Sequence, residues 1–87
     1  MKVAPQIMPP EWDKADAAAL QALQDGTATE HQQKRALDWI IRKAAATYDL
    51  SFSPEGERLT SFAEGRRFVG LQVVKLLAIN LPALKKE

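Results

Sequence analysis

The stretch TEHQQKRALDWIIRKAAATY, Thr29–Tyr48, decides the fold. Leu37, Ile40, Ile41, Ala44 and Tyr48 recur at i, i+3, i+4, i+7 and i+11, the period of one helix face. Thr29 followed three residues later by Gln32 is a capping box. The opposite side carries Lys34, Arg35, Asp38, Arg42 and Lys43, a solvated face. Trp39 lies off the stripe, where it either widens the buried face or marks a second contact.

Working outward, the same reasoning places a helix on each side. A first helix is expected over about residues 10–24. Pro10 suits its first position, Glu11, Asp13 and Asp16 sit near the positive end of its dipole, and Gly26 lies just past its end. Trp12, Ala19, Leu20 and Leu23 would share its inner face. A third helix is expected to start at Ser61, capped with Glu64 three residues on, and to stop at about Asn80 before Pro82. Phe62, Val69, Val73 and Leu76 mark one of its faces. From 68 to 79 only Gln72 and Lys75 are strongly polar. A helix apolar on most sides is buried on most sides, and two partner helices of this size are too few to cover it. Gly65 and Gly70 inside this helix each cost roughly 1 kcal/mol against Ala, which points to close approach of another backbone.

The expected architecture is all-α: an extended arm over 1–9, a single helical domain over 10–84, and a charged end over 85–87. A non-helical connector of about a dozen residues, Asp49 to Thr60, joins the second and third helices. The arm holds three of the five prolines, Pro5, Pro9 and Pro10, and so is not helical throughout.

Composition narrows the function classes. With 87 residues there is one small domain, whose own core is marginal. No Cys is present, which excludes disulfides and thiolate metal sites. Twelve Lys+Arg stand against 11 Asp+Glu, without the basic excess of a dedicated nucleic-acid binder. No apolar run reaches the roughly 18 residues of a membrane span, and no leader is recognisable, so cytoplasmic synthesis is expected. His31 is the single histidine, without the three or four ligands zinc requires. Ser51, Ser53 and Ser61 lack an adjacent base. Glu55, Glu57 and Glu64 read as surface and capping carboxylates, and phosphate-cradling glycine loops are missing. No enzyme, no metal site and no cofactor is expected.

Arg66 and Arg67 are the one charged pair that asks for an explanation, because a helix start disfavours cations. Pairing with Glu64, Glu57 or Asp49 is the simpler account; a phosphate or acidic partner is the sharper one. The surplus apolar surface nominates Gly70, Val74, Leu77, Ile79, Leu81 and Leu84 as an interface.

The run Ala63-Glu64-Gly65-Arg66-Arg67-Phe68-Val69-Gly70-Leu71-Gln72, with Leu76-Leu77 after it, resembles the C-terminal signature of a family of small tailed-phage proteins. They are encoded among head and packaging genes, typically in short-tailed phages. Ala36-Leu37-Asp38-Trp39-Ile40-Ile41 and Thr47-Tyr48-Asp49-Leu50-Ser51-Phe52 are similar to the same family, and the resemblance covers about residues 25–80. It implies a minor virion or assembly protein in contact with the portal, tail or DNA, self-associating or assembling into a ring. Such a protein would be found in the host cytoplasm and then in the virion. The resemblance transfers no catalytic residue. The rival expectation is a DNA-binding packaging or regulatory domain, small-terminase-like or helix-turn-helix-like. Against it stands the connector, since a helix-turn-helix turn has three or four residues.

Overall fold

The computed structural model describes residues 9–50, 54 and 56–84. Expectations that fall on 1–8, 51–53, 55 and 85–87 lie outside the described residues. These include most of the arm, Ser51, Ser53, Glu55 and the charged end. Among the described residues the fold is all-α, with three helices and no strand. They are α1 (Lys14–Asp25), α2 (Glu30–Trp39) and α3 (Glu57–Ala78). A π-helical turn, Ile40–Ala44, extends α2, and a 3₁₀ turn, Leu81–Ala83, follows α3. Between Ala44 and α3 the described residues, 45–50, 54 and 56, are non-helical.

α1 begins four residues later than Pro10 suggests, at Lys14. Asp13 is the cap: its Oδ1 accepts from Asp16 N at 2.9 Å, and Asp13 N donates to Asp16 Oδ2 at 3.1 Å. Its far end closes as expected on Gly26, left-handed at φ 74. Thr27 N donates to Ala22 O and Gly26 N to Leu23 O, the two bonds of a Schellman motif. The capping box of α2 forms as read, with Gln32 N donating to Thr29 Oγ1 and Thr29 N to Gln32 Oε1.

Arg35 ties α1 to α2. Its Nε reaches Asp16 at 2.9 Å, and its Nη2 donates to both Asp13 oxygens at 3.0 and 3.1 Å. The hydrogen bond from the Asp16 backbone holds the Asp13 carboxyl below its ordinary value of 3.8, desolvation opposes it, and the Arg35 charge adds to the lowering. A carboxyl lowered in the folded state contributes stability above its ordinary pKa and loses it as pH falls through the folded value. Stability should therefore decline in the acid range below about pH 4. Asp13→Asn, which keeps a good cap, should flatten that decline in a urea titration series. An unchanged acid slope would show that Asp13 carries none of it.

The core is made of small side chains. Among the described residues, Ala19, Ala36, Ile41, Ala45, Ala46 and Ala63 are the buried apolar ones, and the largest fully buried side chain is that of Thr47. Trp12 and Leu23, expected on the inner face of α1, are exposed. Trp39 is half-buried and donates its indole N–H to Glu11 O at 3.0 Å, which pins the entry to α1 against α2.

The helices lie side by side in one layer. α1 packs on α2, and α3 packs on the π-helical turn; no Cα pair within 8 Å joins α3 to α1 or α2. The Cα atoms span 46 × 37 × 17 Å with a radius of gyration of 15.8 Å. A compact chain of this length has about 12 Å. The accessible surface is 7196 Å², against roughly 5,100 Å² for a compact monomer of this mass.

Candidate docking face of α3

Among the described helices, α3 meets the π-helical turn. The apolar stripe of α2 was expected to run on to Tyr48, but the helix widens at Ile40 and ends at Ala44. Ala45 N donates back to Ile40 O at 2.9 Å, an i→i+5 bond. Ala46 then takes a left-handed φ of 50, a conformation costing an alanine roughly 1–2 kcal/mol. Thr47 is fully buried, and both its N and its Oγ1 donate to Ile41 O, at 3.1 and 2.7 Å. Tyr48 is left exposed, beneath the Arg42 guanidinium.

Gly70 of α3 presses on this turn. A Cβ built on Gly70 would overlap the Thr47 hydroxyl and stand 2.9 Å from the Ala45 Cβ. The close approach read from the glycine is real, and its partner lies in the same chain. Gly70 is therefore removed from the outward interface proposed for it.

Ser61 is not the helix start. α3 begins one turn earlier, after Gly56, so Ser61 lies inside it and no second capping box forms. Arg66 and Arg67 then fall mid-helix rather than at the positive end. Arg67 is committed within the chain: its Nε donates to Thr47 O at 3.0 Å and its Nη1 is 3.6 Å from Glu64. Arg66 lies 5.6 Å from the Phe62 ring centroid, and its buried Nε has no hydrogen-bond acceptor among the described residues. Of the basic side chains on α2 and its π-helical extension, Arg35 is spent on α1. Lys34 pairs with Glu30 and Arg42 with Asp38, exposed pairs of little energetic weight.

The inward face of α3 consists of Ala63, Gly70 and the half-buried Arg67 and Val74. The face marked in the sequence by Phe62, Val69 and Leu76 points to solvent, at 49%, 58% and 68% exposure. Val73 beside them is half-buried. An apolar groove of about 210 Å³, lined by Ile40, Ala44, Ala45, Arg66 and Val69, adjoins this stripe. Beyond Val74 the helix continues past the junction. Leu77, Leu81 and Leu84 of the candidate interface are exposed there, while Ile79 is half-buried.

The other hollows hold no reacting constellation. One of about 530 Å³ is lined by Pro10, Glu11, Trp12, Asp13, Asp16 and Lys43, and its aspartates serve as cap and ion-pair partners. Among the described residues no cluster of His, Cys, Asp or Glu is placed to hold a metal ion, and no helix is long and apolar enough to cross a membrane. His31 is exposed in the first turn of α2. No known family model, curated protein or solved structure matches the chain.

Proposed function

We propose that this chain is a non-enzymatic assembly module, a minor virion protein of a tailed phage. It docks α3 on portal, tail or internal particle components and is present in several copies. The observation that carries the reading is the row of exposed apolar side chains along α3 and its 3₁₀ extension, from Phe62 to Leu84. A contiguous apolar patch above a few hundred Å² marks an interaction surface on a soluble chain. The resemblance over residues 25–80 supplies the phage context. On this reading assembly takes place in the host cytoplasm and the finished protein lies in the virion.

A DNA-binding role draws less support. Arg67 is occupied by Thr47 and Glu64, and the basic side chains of α2 face carboxylates of their own chain. Mass spectrometry of purified particles tests the leading reading. The chain should be present at a fixed ratio to the portal protein. Its absence from particles, with strong salt-dependent DNA binding by the isolated chain, would replace this reading with the DNA-binding one.

A further inference from the structure

We propose that α3 pairs antiparallel with α3 of a second copy of this chain, across a twofold axis at Val69. The pairing rests on reading α3 as a docking helix and names the first occupant of its exposed stripe.

Phe62, Val69 and Leu76 recur every seven residues and all face solvent. Seven residues are close to two helical turns, so the three form one seam along α3. The seam is distinct from the Ala63–Gly70 face that meets the π-helical turn. Gly65 lies beside it. Unlike Gly70, a Cβ on Gly65 would meet nothing within 4 Å. A glycine in mid-helix is disfavoured, and this one has no packing reason among the described residues. A second helix lying on the seam supplies that reason.

Self-complementarity selects a second copy and its direction. A twofold interface sets residue i against j and j against i. About Val69, Phe62 stands opposite Leu76, Gly65 opposite Val73, and Arg66 opposite Gln72. Bulky apolar meets bulky apolar, the missing side chain meets a branched one, and Arg66 gains a side-chain amide oxygen. A parallel pair in register would instead set Arg58 on Arg58 and Arg66 on Arg66, like charges across a seam.

The area is sufficient. α3 is 22 residues long, about 33 Å. Its seam with the adjoining groove offers on the order of 600 Å² per copy, which reaches the lower bound of about 1,200 Å² total for specific interfaces.

The chain has no cysteine, so single cysteines report the register. Light scattering should give twice the chain mass at micromolar to submillimolar concentration. Val69→Glu should give the monomer mass with unchanged helical circular dichroism. Phe68→Glu, one residue and about 100° round the helix, should remain dimeric. A short bis-maleimide should link Val69→Cys to itself. Phe62→Cys and Leu76→Cys should link only when mixed. A monomeric wild type, a dimeric Val69→Glu, or self-linking of Phe62→Cys would each overturn the pairing. If the wild type is monomeric yet Val69→Glu is lost from particles, a different protein occupies the seam, and only the pairing fails. If the wild type pairs but the chain is absent from particles, only the particle reading fails.

Discussion

Gly70→Ala should lower the unfolding free energy by roughly 2 kcal/mol, a fall in Tm on the order of 10 °C for a domain of this size. The added methyl has no room: it overlaps the Thr47 hydroxyl and crowds the Ala45 methyl. Neither neighbour yields cheaply. Thr47 is fully buried and held by two bonds to Ile41 O, and Ala46 between them is left-handed. α3 must move out, which loosens the Arg67–Thr47 bond and the contact of α3 with the π-helical turn. Helix propensity alone would favour Ala by about 1 kcal/mol, so a net loss measures the clash. Gly65→Ala is the internal control, because open space surrounds it. Measured at a dilution that favours the monomer, it should gain up to about 1 kcal/mol. Thr47→Ala combined with Gly70→Ala should be less damaging than the two added together, as expected for residues in contact. Thermal unfolding of the four variants decides the matter, and equal effects of Gly65→Ala and Gly70→Ala would show that the junction gives way.

The legible parts of this fold are those set by local chemistry. The Thr29–Gln32 box and the Gly26 terminus need only their own neighbours in sequence, and both form as read. The start of α1 was misplaced because two signals compete there. Pro10 is acceptable at a helix start, but Asp13 accepts the Asp16 N–H and also meets Arg35, a partner 22 residues away. The Ser61 capping box fails for a related reason. Its Ser-x-x-Glu pattern is a valid local signal, but Glu57 to Thr60 are themselves competent to be helical, and α3 starts ahead of it.

The tertiary junction was not legible. Ala44-Ala45-Ala46 is strong helix-forming sequence, with no Gly or Pro to announce a turn. The helix ends there because Thr47 turns back onto Ile41 O and Arg67 reaches Thr47 O from a distant element. Periodicity likewise marks Phe62, Val69, Val73 and Leu76 as a face without saying which way it points. From Phe68 on, α3 is apolar nearly all round, so steric fit decides. The Ala63–Gly70 side allows the closest approach to the π-helical turn, and the bulkier stripe is left outward. Gly70 is legible as a point of close approach, but not that what it meets lies in the same chain. Arg67 pairs with Glu64, as the simpler account has it, while its bond to the Thr47 carbonyl has no signal in the sequence.

Leu77→Asp and Leu81→Asp should each reduce incorporation into particles at least tenfold while leaving the fold intact. Both side chains lie beyond the junction, at 59% and 73% exposure. An exposed leucine replaced by aspartate removes little that the folded monomer uses, so circular dichroism and Tm should stay close to the parent. In a docked state the balance differs. Burying a leucine contributes about 1.5–3 kcal/mol, and 1.4 kcal/mol is a tenfold change in affinity. A carboxylate at the same position adds a desolvation cost unless it finds a partner. Neither leucine lies on the Phe62–Val69–Leu76 seam, so both variants should still pair as dimers, which separates contact with the particle from contact between copies. Quantitative mass spectrometry of particles assembled with each variant gives the incorporation, and light scattering gives the mass. Normal incorporation of both variants would remove the end of α3 and its 3₁₀ extension from the docking surface, leaving the seam alone to carry it.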